Sequence, residues 1–142
     1  MKKELIFVEE KCTGCRLCEL MCVLEKEGAC GQSQARLKLI ETDVLETYDA
    51  KICRQCEEPE CREACPEEAI TRNPTTKALE VNQELCTGCQ LCVQACPYDA
   101  IFWDEDRQVV LKCDLCGGKV ICVSSCPKQA LLFEPASEDN RA

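Results

Sequence analysis

The chain has 142 residues, 17 of them cysteine and none histidine, with a formal charge of −9 and only 4% aromatic residues. That acidic balance argues against nucleic acid or an anionic membrane as partner, and no apolar run approaches the ~20 residues needed to cross a bilayer. So few large apolar side chains imply that something other than hydrocarbon fills much of the core, and that the chain folds poorly without it.

Residues 1–10 contain no apolar h-region and no cleavage site, so they do not read as a secretory signal. Within them Leu5-Ile-Phe-Val8 reads as a strand. It leads into Cys12-Thr-Gly-Cys15-Arg-Leu-Cys18-Glu-Leu-Met-Cys22, followed by Val23 where the later quartets have proline. Without that proline the chain is free to continue as a helix. Leu17, Leu20, Val23 and Leu24 fall near helical spacing, Glu19, Glu25 and Glu27 fill other positions, and Gly28 is placed to stop it. Cys30, in a polar stretch, belongs to no quartet and reads as a free or packing thiol. Arg36-Leu-Lys-Leu-Ile-Glu-Thr42 alternates and reads as a second strand, expected to pair with the one at residues 5–8.

The second quartet, Cys53, Cys56, Cys61 and Cys65, has two extra residues before its third cysteine and is dense in acid: Glu57, Glu58, Glu60, Glu63, Glu67 and Glu68. Such a run is either a solvated face or a docking patch for a basic partner. The third is Cys86-Thr-Gly-Cys89-Gln-Leu-Cys92-Val-Gln-Ala-Cys96-Pro97. The fourth, Cys113, Cys116, Cys122 and Cys126, puts five residues between its second and third cysteines, with Gly117-Gly118 to bend that loop. One phrase is written three times: Cys65-Pro-Glu-Glu-Ala-Ile70, Cys96-Pro-Tyr-Asp-Ala-Ile101 and Cys126-Pro-Lys-Gln-Ala-Leu131. Each is expected to make a short turn of helix that brings its alanine to the site, then to open a strand. Ile70-Thr71 with residues 78–81, and residues 101–103 with residues 109–111, read as hairpins. Trp103 reads as shielding packing, and residues 134–142 read as a frayed polar tail.

The third quartet is the bacterial ferredoxin run, in which three thiolates wrap one [4Fe–4S] cubane and the fourth ligates its neighbour. Gly88 is expected to relieve crowding beside sulfur, and Pro97 to turn the chain away. Sixteen cysteines at four per cubane make four [4Fe–4S] clusters. Disulfide scaffolds belong to secreted chains. Structural zinc pairs Cys-x-x-Cys knuckles, often with histidine, and leaves the triplet and Cys-Pro without a role. A plant-type [2Fe–2S] site needs a longer first spacing. With no histidine, no phosphate loop and no nucleophile beside a base, no catalytic residue is assigned. Electron transfer is the reading; a free-standing polyferredoxin is the alternative, and a zinc-bound interaction module a distant one. Reduced thiols and exposed clusters point to the cytoplasm of an anaerobe.

The four runs, in this order and with these variant spacings, resemble the iron–sulfur subunits of the dimethyl-sulfoxide-reductase type. The opening residues 12–28 are most similar to small subunits accompanying tungsten aldehyde oxidoreductases, a group that includes the iron–sulfur subunit of benzoyl-CoA reductase complexes. The resemblance implies an α+β fold: two pseudo-symmetric bacterial two-[4Fe–4S] ferredoxin-like modules with short β-hairpins and short helices, nested in sequence. Spacing alone leaves tandem and nested pairing open. The family nests them, so that Cys12, Cys15, Cys18 and Cys126 hold one cluster, and Cys22, Cys113, Cys116 and Cys122 its neighbour. Cys53, Cys56, Cys61 and Cys96 hold the third, and Cys65, Cys86, Cys89 and Cys92 the fourth. Residues 1–48 with 105–142 would form an outer lobe and residues 49–104 an inner one. The implied partners are a large catalytic subunit carrying a tungsten or molybdenum pterin, and a further redox subunit or ferredoxin. The long insertions and C-terminal membrane-contacting extension of larger relatives are missing, so a membrane partner subunit is not expected, and neither is direct membrane insertion.

Overall fold

The computed structural model describes residues 3–28 and 34–135. The expectations for Cys30 and for the tail beyond Pro135 lie outside the described residues. The described chain folds into four two-stranded antiparallel ribbons and four α-helices, short except for the first.

The first ribbon corrects the expected pairing. Strand β1 (Lys3–Phe7) pairs not with residues 36–42 but with β8 (Leu131–Pro135) at the far end of the chain, with Leu5 opposite Phe133 and Phe7 opposite Leu131. Glu134 and Pro135 therefore belong to a strand and not to a frayed tail. The phrase around Cys126 delivers β8 here, and Val8 N–H donates to Ala130 O at 2.7 Å, locking the two ends together. Strand β2 (Lys38–Glu41) instead pairs with β3 (Tyr48–Lys51) across a turn closed by Thr42 N–H to Thr47 O at 3.0 Å. A short loop costs less closure entropy than a long one. The two expected hairpins form as β4 (Ile70–Arg72) with β5 (Leu79–Val81), and β6 (Ile101–Asp104) with β7 (Val109–Lys112).

Helix α1 (Leu17–Glu27) runs through Val23 as its sequence pattern requires and ends at Gly28, whose φ of +69° lets its N–H reach back to Leu24 O. The other helices, α2 (Glu60–Ala64), α3 (Leu91–Ala95) and α4 (Ile121–Ser125), span five residues each. Each Cys-Pro follows directly on one of them, because proline cannot continue the ladder. The repeated phrase is a tight turn, not a turn of helix: Glu68, Asp99 and Gln129 donate back to Cys65, Cys96 and Cys126, each with positive φ. Helix α1 packs on α4, and α2 on α3.

Two buried groups result. One joins Cys18, Cys22, Leu37, Leu39, Cys113 and Cys122 with Ile52 and Cys53; the other joins Cys61, Ile70, Leu79, Cys92, Ile101 and Val110. Cysteines lie at the centre of both, as the shortage of aromatic side chains implies. Among the described residues, no helix is long and apolar enough to cross a membrane.

Candidate metal centres

Two cavities gather cysteines from distant parts of the chain. The first is lined by Cys12 and Cys15 from the loop before α1, by Cys18 in the first turn of α1 and by Cys126 from the end of α4, with Ala130 and Leu131 also in the lining. The second is lined by Cys86 and Cys89 from the loop before α3, by Cys92 in the first turn of α3 and by Cys65 from the end of α2, with Ala69 and Ile70 also in the lining. In each, three thiols come from one quartet and the fourth from another. Cys15 and Cys89 are exposed, while Cys18 and Cys92 are buried. Each cavity thus has one thiol at the surface and one in the interior.

The backbone is shaped around the sulfur atoms. Ala69, Ala100 and Ala130 donate their N–H groups to the Sγ of Cys65, Cys96 and Cys126 at 3.3, 3.5 and 3.3 Å. This explains the thrice-written phrase: alanine is there so that its amide, and no bulk, reaches the thiol four residues back. Cys22 has no such phrase after it. Its Sγ takes a hydrogen bond from Arg36 N at 3.4 Å, fourteen residues away. Cys53 Sγ accepts from Gln55 N at 3.4 Å.

Arg16, Gln90 and Val120, just before α1, α3 and α4, all adopt left-handed φ without being glycine. Such outliers concentrate at functional sites, and no residue type in the sequence signals them. At Gly88, expected to relieve crowding beside sulfur, an added Cβ would also meet the Gln108 carbonyl and the Trp103 ring at 2.8 and 3.0 Å. At Gly14 it would meet the ring of Tyr48. Both cavities thus have an aromatic ring pressed against the glycine of their Thr-Gly pair.

Of the eight remaining cysteines in the quartets, Cys22, Cys53, Cys61, Cys113 and Cys122 are buried, and Cys56, Cys96 and Cys116 are half-buried. Cys22, Cys53, Cys113 and Cys122 belong to the first buried group and Cys61 to the second. Burial pushes the Cys18 and Cys122 thiols up to about 12 and Cys92 up to about 11, and raises Cys22, Cys61, Cys113 and Cys116 as well. Neighbouring thiolates add to these shifts. Cys12 and Cys126 act on Cys18; Cys18, Cys22 and Cys116 act on Cys122. Cys122 and Cys53 act on Cys113, Cys53 and Cys96 on Cys61, and Cys61, Cys65 and Cys86 on Cys92. Sulfurs so buried do not ionise without positive charge beside them, which is what iron supplies. Among the described residues no three acidic or cysteine side chains converge tightly enough for a single metal ion. Thiols spread around a cavity, with amides aimed at the sulfur, fit a body larger than one ion.

Three buried polar side chains near these thiols carried no signal in the sequence. Glu19 accepts from Arg16 Nη1 at 3.1 Å and Leu39 N at 2.7 Å, tying α1 to β2. Gln55 donates to Cys113 O at 2.9 Å and accepts from Leu79 N at 2.7 Å. Lys112 lies beside it. By contrast Glu57, Glu58, Glu60, Glu63, Glu67 and Glu68 are all exposed, and none takes part in the ion pairs found among the described residues.

The family model for the 4Fe-4S dicluster domain matches residues 44–136. The chain is 35% identical over 122 residues to the B subunit of the anaerobic dimethyl sulfoxide reductase of Haemophilus influenzae, covering 76% of this chain and 58% of that protein. It is 38% identical over 97 residues to the polyferredoxin-like subunit of the aliphatic sulfonate oxidoreductase of Pyrococcus furiosus, covering 66% and 53%. To the electron transport protein HydN of Escherichia coli it is 37% identical over 106 residues, covering 71% and 59%. The chain thus spans little more than half the length of these curated relatives. In fold it is similar to a subunit of the active site complex BamBC of benzoyl coenzyme A reductase, with a TM-score of 0.54 at 22% identity, covering 92% of this chain and 78% of that one.

Proposed function

Because the chain belongs to the 4Fe-4S dicluster domain family, we propose that it is the iron–sulfur electron-transfer subunit of an oxidoreductase complex, holding four [4Fe–4S] clusters on sixteen cysteines. One observation carries the reading: two cavities, each lined by three thiols of one quartet and the Cys-Pro thiol of another. When bound, such clusters store and pass single electrons. The chain's own residues hold them, shield them and set their potentials.

The ligand sets are those of nested pairing. Cys12, Cys15, Cys18 and Cys126 form one end, and Cys65, Cys86, Cys89 and Cys92 the other. Between them, Cys22, Cys113, Cys116 and Cys122 form one middle set and Cys53, Cys56, Cys61 and Cys96 the other, consistent with the order in which the thiols act on one another. Residues 1–48 with 105–142 make the outer lobe and residues 49–104 the inner, the β6–β7 hairpin crossing between them. The exposed thiols belong to the end sets, so electrons enter and leave there. The partners are a catalytic oxidoreductase subunit of the tungsten or molybdenum pterin type and a further redox subunit or ferredoxin, in the cytoplasm. The unpaired acidic run, of which Glu67 lines the inner cavity, meets the basic surface of one of them by long-range attraction.

Iron and sulfide counts near four cubanes per chain, with absorbance near 400 nm that dithionite bleaches, are the expected result; zinc without sulfide overturns the reading. Copurification at fixed stoichiometry with a pterin-containing subunit distinguishes a subunit from a free polyferredoxin. The pairing has its own test. Cys12→Ser combined with Cys126→Ser costs one cluster's worth of iron if the two share a cluster, and two clusters' worth if they do not.

A further inference from the structure

Lys112 closes β7, and although lysine is among the residues least often buried, it is only 4% exposed. Its three ammonium donors are all engaged: Leu79 O at 2.8 Å, Cys113 O at 3.1 Å and Gln55 Oε1 at 3.5 Å. Every one of these acceptors is neutral. None of the ion pairs among the described residues includes Lys112. A buried cation without a counter-charge is costly, so a fold that keeps one has negative charge nearby from another source.

Its surroundings identify that source. Gln55, which touches Lys112, has its backbone N–H on Cys53 Sγ and its side chain on the Cys113 carbonyl. Cys53 belongs to one middle ligand set and Cys113 to the other. Lys112 therefore stands at the junction of the lobes, between the two sets least accessible to solvent.

We propose that Lys112 is the fixed buried cation that holds up the reduction potentials of the two middle clusters and offsets the repulsion between them. This rests on the four-cluster reading above. Each oxidised all-cysteine cubane carries about −2, and reduction adds another negative charge. Two such bodies close together in a low-dielectric interior resist taking up electrons, and a positive charge between them lowers that resistance. Amide donors to sulfur act in the same sense but are spread over all four sets; Lys112 acts on the middle pair alone. The consequence is a profile in which the interior is no harder to reduce than the ends, so that the middle of the relay is not a barrier.

The test is an EPR-monitored redox titration of the full-length loaded protein, with Cys15→Ser and Cys89→Ser used separately to tag the two end clusters by their own shifts. Lys112→Gln keeps polar donors but removes the charge. It is expected to shift the reduction equilibrium of two clusters at least tenfold toward the oxidised form, which is 59 mV for a one-electron couple, and to leave the tagged ends unmoved. Gln55→Glu sets a carboxylate against the ammonium and is expected to move the same two clusters in the same direction, whereas Lys112→Arg stays close to wild type. Equal shifts in all four clusters, or none, overturn the proposal. So does loss of iron in both Lys112→Gln and Gln55→Glu, since the lysine is then a strut. Fewer than four clusters in the unmodified protein overturns the reading on which it rests, and the proposal with it.

Discussion

The two solvent-facing cavities are near copies in backbone and differ in what surrounds them. Each has a Thr-Gly pair with left-handed glycine, a left-handed residue before the helix, an exposed second cysteine, and an alanine amide on the Cys-Pro sulfur. Around the first, α1 continues for eleven residues, Val23 stands where proline does elsewhere, and Tyr48 covers the glycine. Around the second, α3 stops after five residues at Cys96-Pro97, and Trp103 covers the glycine. Lys128 lines the first cavity at the place in the repeated phrase where Glu67 lines the second. The backbone that meets the metal site is held constant, and helix length, cover and rim charge are what vary.

The sharpest way to break this comparison is to exchange the residue that ends or extends the helix. Val23 is 1% exposed within α1, so Val23→Pro removes a ladder hydrogen bond and forces a kink at a packed position, costing ~3 kcal/mol or more. It also pulls Cys22 from the amide of Arg36. The expected outcome is poor iron retention at the outer sets, measured against a thermal melt. The reverse exchange, Pro97→Val, stands after the helix has ended and is expected to cost under ~1 kcal/mol. Similar losses from both changes would show that helix length does not distinguish the two sites.

That contrast also marks what the sequence made legible. The four quartets, the long first helix with its glycine stop and both central hairpins follow from spacing and periodicity, because each is a local pattern. The β1–β8 ribbon was not legible, since nothing within Leu5–Val8 reports that Cys126 must come beside Cys12, and that junction chooses the partner strand. Tyr48-Asp-Ala-Lys51 escaped notice because a four-residue strand with two charged positions shows no clear alternation. Lys112 ends the apolar run Val109-Val-Leu111 and so reads as the exposed close of a strand; only the tertiary fold buries it. The left-handed positions Arg16, Gln90 and Val120 carry none of the glycine that would announce them.

A smaller effect separates the two aromatic covers. Alanine at Gly14 or Gly88 takes a left-handed backbone that costs ~1–2 kcal/mol in itself. At Gly14 the three atoms nearest the added methyl all belong to the movable ring and hydroxyl of Tyr48, and at Gly88 the nearest is the fixed carbonyl of Gln108, followed by Trp103. Gly88→Ala is therefore expected to be the more damaging of the two in a melt of the loaded protein. Adding Tyr48→Ala should recover part of the Gly14→Ala loss, while Trp103→Ala should recover little of the Gly88→Ala loss. A double-mutant cycle with equal recovery at both sites would remove the distinction.

The smallest effect lies at the rims. Lys128 and Glu67 are both exposed, so each acts on its cavity through solvent, where a unit charge a few ångströms away is worth ~1 kcal/mol or less. Lys128→Gln should lower the potential of the outer end cluster, and Glu67→Gln should raise that of the inner end cluster. Each shift should stay under the ~59 mV that a tenfold change in a one-electron equilibrium represents. Salt discriminates this effect from the buried one at Lys112. Surface charges lose most of their influence once ionic strength brings the screening length to ~3 Å at 1 M, so the rim shifts should fade between low and high salt. If they persist in 1 M salt, the rim charges act through the packing of the loop and not through their field.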